Sequence, residues 1–341
     1  MLGSDQSPVS VEDAKRLFAD WKTAPALLIA VSGGPDSLAL MWLLARWRRA
    51  MKRGPDLVAV TVNHGLRREA AREARDVQQL AETLGLPHRT MRWTGNKPAA
   101  GVPAAAREAR YQLLAKAAKA SGATHILTAH TRDDQAETVL MRMARGSGLA
   151  GLAAMAREVQ RNGVVLARPL LDMPKSRLVA TLDKARIGFA TDPTNTDPSF
   201  TRPRLRALMP ALASEGFDSR NLARLATRLA RANVALELMV DGAERYLGLA
   251  GDPVRGGVDA QAFAAMSEEI RVRMLLRMID RVGHEGPAEL GKVETLAQAL
   301  AEANRKDNRG IRLKQTLAGA LVSLTHDRLR IEPAPSRRSG K

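Results

Sequence analysis

Along the first 210 residues, short apolar runs alternate with longer amphipathic stretches. Ala26 to Val31 is an unbroken apolar run between Pro25 and Ser32, the pattern of a strand buried on both faces. Leu57 to Val62, His88 to Trp93 and His125 to Ala129 read as three more strands. Between them, helices are predicted over Ser37 to Met51, Glu69 to Leu84 and Pro103 to Ala120, and a further one over Asp133 to Arg145. Gly85, Gly122 and Gly146 stop three of these helices. An N-terminal helix over Val11 to Trp21 starts at Ser10, with Glu12 and Asp13 in its first turn. Strand and helix alternating at this spacing predict right-handed crossovers and a parallel sheet covered on both faces.

After Gly151 the rhythm changes. Val164 to Ala167 reads as one more strand and Pro174 to Arg186 as one more helix. Thr191 to Pro198 is too polar for a core and reads as a loop. From Arg204 onward the pattern is mostly helical: one long helix over Asp218 to Tyr246, a glycine-rich break at Gly248 to Gly257, and helices over 260–283 and 287–304. A hairpin is predicted within 310–331. The expected organisation is an N-terminal helix (1–23), an α/β domain (24–212), a mainly helical domain (213–332) and a disordered tail (333–341).

Composition sharpens this picture in two ways. The chain has 53 Lys and Arg against 36 Asp and Glu, a net charge of +17. The excess is uneven: residues 1–210 carry 32 basic and 19 acidic side chains, residues 211–341 carry 21 and 17, and 138–210 alone carries 12 and 5. A compositional drift toward arginine would be more even, so the bias points to a polyanion, most often nucleic acid. With 4 Trp, 2 Tyr and 5 Phe, recognition through many stacking platforms is excluded. With no cysteine, disulfides, thiolate metal sites and cysteine nucleophiles are excluded too. No basic region followed by an apolar stretch opens the chain, and no apolar run approaches a membrane span, so the cytoplasm is the expected compartment.

The stretch with most chemistry is Ser32-Gly33-Gly34-Pro35-Asp36-Ser37, between the first strand and the first crossover helix. Two glycines allow a tight turn and close approach to a ligand. Loop amides and the helix N-terminus make an anion site, and Ser32 and Ser37 add hydroxyls. Asp36 would repel a phosphate unless a cation lay between them, which points to Mg2+. An ordinary glycine-rich turn with an acid near the cap would also carry these residues. Neither G-x-x-x-x-G-K-[ST] nor a post-strand G-x-G-x-x-G is present.

This hexapeptide resembles the pyrophosphate-binding loop of the N-type ATP pyrophosphatases. Three further stretches narrow the resemblance: Asn63-His64-Gly65-Leu66-Arg67, Arg107-Glu108-Ala109-Arg110-Tyr111, and His130-Thr131-Arg132-Asp133-Asp134-Gln135-Ala136-Glu137-Thr138. Later pieces agree, namely Arg145-Gly146-Ser147-Gly148, Arg168-Pro169-Leu170-Leu171 and Asp192-Pro193-Thr194-Asn195. In this order they resemble the tRNA(Ile)-lysidine synthetase family over about residues 24–210. The resemblance implies an adenine nucleotide alpha hydrolase-like fold. It also implies ATP, Mg2+, L-lysine and a tRNA(Ile) with a CAU anticodon. ATP adenylates O2 of the wobble cytidine, and the lysine ε-amine then attacks C2.

By the same resemblance, Ser32, Gly33, Gly34, Pro35, Asp36 and Ser37 hold the pyrophosphate, while Asn63 and His64 face the nucleoside. Asp36 and Asp134 hold Mg2+. Glu137 or Asp134 binds the lysine amine, and a carboxylate or His130 takes its proton, a choice that stays open. Arg110 stabilises charge on the phosphate or the activated base. Asp133, Arg145, Arg168, Asp192, Asn195, Arg202, Arg204 and Arg206 contact the tRNA or support the site. The acids at 133, 134 and 137 also suit the start of a helix dipole. Where the family reads Arg-Asn-x-Ile/Val-Arg, this chain reads Arg202-Pro203-Arg204-Leu205-Arg206, which removes an amide side chain and a backbone donor.

Two other readings stand beside this one. A tRNA thiolase or a glutamine-using amidator commonly needs cysteine, which is missing. A non-catalytic RNA-binding relative would have no need for Asp36 with Asp133, Asp134 and Glu137 together. The near charge balance of 211–341 predicts that this part reads tRNA more by shape than by bulk charge. A homodimer stays open.

Overall fold

The computed structural model describes residues 5–65, 70–95, 97–98, 100–190, 197–199, 201–248, 257–305, 313–325 and 327–335. Its contacts divide the chain into two compact units, Met1–Gly146 with Leu152–Thr227, and Ser147–Gly151 with Arg228–Lys341.

The first unit begins with α1 (Val11–Phe18), where Ser10 and Asp13 cap each other reciprocally, followed by a 3-10 turn at Ala19–Trp21. Then come β1 (Ala26–Ala30), α2 (Pro35–Arg49), β2 (Asp56–Asn63), α3 (Ala70–Thr83), β3 (His88–Arg92), α4 (Val102–Ala120), β4 (His125–Leu127) and α5 (Arg132–Met143). After α6 (Leu149–Leu152) follow β5 (Glu158–Arg161), β6 (Val164–Ala167), α7 (Lys175–Ala185) and α8 (Thr201–Ser214). Helix α9 (Ser219–Tyr246) then runs on into the second unit.

One six-stranded sheet orders these strands β3-β2-β1-β4-β6-β5. Five are parallel, as the alternation predicts, and β5 joins antiparallel to β6. Along β1, Leu27 and Ile29 join the core under α1, α2 and α7, while Leu28 and Ala30 join the core under α4. That is the two-faced burial an unbroken apolar run requires. The chain leaves β1 toward β2 on one side, and β4 lies on the other. A crevice therefore opens at the C-terminal ends of β1 and β4, where ligands of open α/β sheets bind.

Strand β5 is absent from the sequence reading. Three of its four residues are exposed, so it has no apolar face to betray it. Its signal is the turn: Asn162 and Gly163 both take positive φ (52° and 76°), the Asn-Gly hairpin geometry.

In the second unit the remainder of α9 packs with α10 (Ala260–Ala264), α11 (Glu268–Val282) and α12 (Leu290–Arg305) around Val240, Met274, Ile279, Leu296 and Leu329. The predicted hairpin is part of a four-stranded antiparallel sheet. It comprises β7 (Val258–Asp259), β8 (Leu313–Leu317), β9 (Ala320–Leu324) and β10 (Arg328–Pro333), in the order β7-β10-β9-β8. The expected loop at 191–196 and the end of the expected tail at 336–341 lie outside the described residues. Among the described residues no helix is long and apolar enough to cross a membrane.

Candidate active site

The two glycines after β1 answer different needs. Gly33 has φ +87°, a left-handed conformation that strains any side chain. An added Cβ there would meet Glu73 and Val77 at an ordinary 3.7 Å, so the demand is conformational rather than steric. Gly34 is the N-cap of α2, and Pro35 fills its first turn, where the missing N–H costs no helical bond. The Ser37 hydroxyl donates to Gly34 O (3.0 Å) and accepts from Ser32 N (3.1 Å), closing the loop on itself. Helix α2 thus starts at Pro35 rather than Ser37, and its N-terminus, at Gly34 and Pro35, borders the cavity beyond the loop.

The loop borders a cavity of about 570 Å3 that also includes His64, Arg110, Lys175 and Arg206. Nδ1 of His64 is buried with no hydrogen-bond partner among the described residues, and the ring meets Trp93 edge-on, centroids 6.0 Å apart. Burial first, then the charges of Arg110 and Lys97, hold His64 below its usual pKa. A ring with one nitrogen unmatched among the described residues suits a ligand with a polar edge. Asn63 has a different place: its Oδ1 accepts from Gly65 N (2.8 Å), shaping the turn that carries His64.

A second cavity of about 560 Å3 gathers Asp36, Asp133, Asp134, Glu137, Lys175 and Arg206. The sequence reading singled out all of these except Lys175. Lys175 and Arg206 border both cavities.

Each acid is held differently. Asp36 sits in the first turn of α2 with Oδ2 3.3 Å from Lys175 Nζ and Oδ1 buried without a partner among the described residues. Burial pushes its pKa up to about 6 against the pull of Lys175, with Asp134 and Asp133 adding to the rise. Asp134 forms a capping box with Thr131, accepting from Thr131 N at 2.8 Å. Asp133 reaches to α7 and accepts from Lys175 N at 2.8 Å. Glu137 is only 4% exposed, and burial raises its pKa against its pairing with Arg206. Arg206 grips both Glu137 oxygens, Nε to Oε1 at 2.5 Å and Nη2 to Oε2 at 3.2 Å, with Arg202 at 3.9 Å.

His130 follows β4. Its Nδ1 lies 2.9 Å from Thr128 Oγ1, whose hydroxyl donates to Ala167 O at 3.3 Å. That pairing fixes the orientation of the ring, and the tautomer decides which of the two groups donates. Burial lowers His130 to about 4 against the attraction of Asp134, and Arg168, Arg110 and Arg107 lower it further.

The remaining arginines separate by burial. Arg168 is 7% exposed and donates to Ala156 O at 2.6 Å, so it braces the sheet edge. Arg145 is exposed just past α5. Arg204 is exposed and donates to Pro198 O (2.9 Å) and Ser199 O (3.0 Å). Pro203 falls in the first turn of α8, where a helix tolerates proline because the N–H has no partner there. Asp192 and Asn195 lie outside the described residues.

Whether this donor set suits Mg2+ can be tested on Asp36. Its buried Oδ1, unpartnered among the described residues and in a cavity where the acids outnumber Lys175 and Arg206, fits a hard cation. Among the described residues no cluster of three or more His, Asp or Glu could hold a metal alone. The residues therefore fit an ion that takes its remaining oxygens from phosphate and water.

Strand order, phosphate loop and cavity define a PP-loop nucleotide-binding protein, and the PP-loop domain family matches residues 7–212. A U34-tRNA thiolase from Methanococcus maripaludis has the same fold, with a TM-score of 0.54 at 18% identity, over 64% of this chain and 79% of that one. The tRNA(Ile)-lysidine synthase of Rhodopseudomonas palustris is 67% identical over 342 residues, 99% of each chain. That of Bradyrhizobium diazoefficiens is 63% identical over 99% of this chain and 98% of its own. That of a Methylobacterium strain is 44% identical over 98% and 97%. The chain belongs to the tRNA(Ile)-lysidine synthase family.

Proposed function

We propose that this chain joins L-lysine to C2 of the wobble cytidine of a CAU-anticodon tRNA(Ile), using ATP and releasing AMP and pyrophosphate. The observation that carries this reading is the pair of cavities at one sheet edge, one against the phosphate loop and one lined by five acids, in a chain so similar to lysidine synthases along its whole length. The fold supports binding of ATP in the first cavity, with its phosphates on the Ser32 to Ser37 loop and its nucleoside toward His64. Cytidine O2 attacks the α-phosphate, and pyrophosphate leaves on the loop side. The lysine ε-amine then attacks C2 and AMP departs. Asp134 and Glu137 draw the ammonium into the second cavity, and a carboxylate or His130 receives its proton. Mg2+, when bound by Asp36 and Asp134, neutralises charge on the phosphate oxygens. Exposed Arg145 and Arg204 and half-buried Arg202 suit the tRNA backbone, and the second unit suits the tRNA body.

The test is a single-turnover reaction of the full chain with ATP, labelled lysine and transcribed tRNA(Ile). One lysine incorporated per pyrophosphate is expected, with a loss of about 100-fold or more in Asp36→Asn and Asp134→Asn. Pyrophosphate and AMP released in the presence of tRNA and lysine, with no lysine incorporated, would transfer the chain to another tRNA-modifying chemistry.

A further inference from the structure

Lys175 breaks a local rule. It is the first residue of α7, where the helix dipole favours an acid and disfavours a cation. No acid stands in that turn, and the N-cap, Pro174, offers no side-chain bond. Asp133 from α5 takes the free Lys175 N–H instead. The Lys175 side chain extends to Asp36, 3.3 Å from Oδ2, and borders the phosphate-loop cavity as well as the acidic one. Among the described residues, Asp36 Oδ2 thus has a cation while Oδ1 has no partner. Departures from local preference of this kind concentrate at functional sites.

We propose that Lys175 is a resident counter-ion that occupies the metal-facing carboxylate of Asp36 in the free protein and gives it up when metal and nucleotide enter. It then turns to the phosphate between the two cavities. An ammonium and a divalent cation compete for one carboxylate, so Lys175 keeps Asp36 compensated before ATP arrives and weakens metal binding without nucleotide. Its length and its 44% exposed side chain leave it free to swing from carboxylate to phosphate. Asp133 fixes the backbone from which it swings. This extends the proposed reaction, but its first half concerns metal binding alone.

The experiment titrates the full-length, nucleotide-free protein with Mn2+, following free Mn2+ by electron paramagnetic resonance. Lys175→Gln is expected to bind Mn2+ about tenfold more tightly than the parent, and Asp36→Asn to abolish that gain. In the ATP-dependent release of pyrophosphate, Lys175→Gln should lower kcat about 30-fold with little change in the KM for ATP, and Lys175→Arg should restore most of it. An Mn2+ affinity in folded Lys175→Gln that is unchanged, weaker or undetectable overturns the proposal. So does a Lys175→Arg variant no faster than Lys175→Gln. If Mn2+ affinity rises as expected while the parent incorporates no lysine into tRNA, the reading of the reaction fails and the counter-ion role stands.

Discussion

At the scale of single residues, Asp36 shows a site kept at a cost to stability. The folded chain raises its pKa from 3.8 to about 6, mainly by burial, so folding favours the protonated acid. For a raised acid the stabilising contribution is complete below pH 3.8 and is lost as pH climbs through about 6. At neutral pH the ionised group therefore opposes folding. The shift corresponds to roughly 1–2 kcal/mol after a discount for the part of the side chain that faces solvent. Asp36→Asn should accordingly melt higher than the parent at pH 7.5, with the gap closing as the pH falls toward 4, while pyrophosphate release collapses. Thermal melts at the two pH values decide it, and a variant less stable than the parent at pH 7.5 would refute the burial argument. Much at this scale was legible in advance, because Gly33, Gly34, Ser37 and Asp36 act through local geometry that spacing encodes. Lys175 was not legible, because its partners Asp36 and Asp133 belong to other elements. The tie of Glu137 to Arg206 was hidden for the same reason.

Among the elements, the acids at the start of α5 divide their work in a way their shared helix edge does not reveal. Asp134 caps its own helix through Thr131, whereas Asp133 caps a different one, α7. Asp133→Ala should then cost about 1 kcal/mol, the usual worth of a lost cap, and speed amide exchange at the start of α7 more than at the start of α5. Asp133→Asn keeps an acceptor and should restore the protection. Faster exchange confined to α5 would show that Asp133 serves only its own helix dipole. The main elements were legible because buried parallel strands write continuous apolar runs and crossover helices end at glycines. Strand β5 was not, since both its faces meet water and only the Asn162-Gly163 turn marks it. The sheet of the second unit was only partly legible. Its β7 is two residues long, and its β10 alternates between buried Leu329 and Ile331 and exposed neighbours.

For the whole molecule, the net charge of +17 matters less than which cations remain available. In the second unit, arginines of α11 face acids of α9 at matching helical spacing. Arg273 meets Glu237 at 2.5 Å, Arg277 meets Asp241 at 2.7 Å, and Arg281 meets Glu244 at 2.8 Å. Glu237 also pairs with Arg277, and Glu269 with Arg273 at 2.7 Å. These charges hold two helices together and are largely compensated, so they contribute little to a polyanion's counterion release. Arg145 and Arg204 are exposed, and among the described residues no such ladder surrounds them. Binding of tRNA(Ile) by the full chain should therefore depend on salt chiefly through the first unit. Replacing Arg145 and Arg204 together by Gln should reduce the slope of log K against log salt by about 1–2, at most one released counterion for each contact. Arg277→Gln should leave that slope unchanged and lower the melting temperature instead. Fluorescence anisotropy across a salt series measures both. If Arg277→Gln flattened the slope while the double variant did not, the polyanion surface would belong to the second unit, and the uneven charge along the sequence would have pointed to the wrong face.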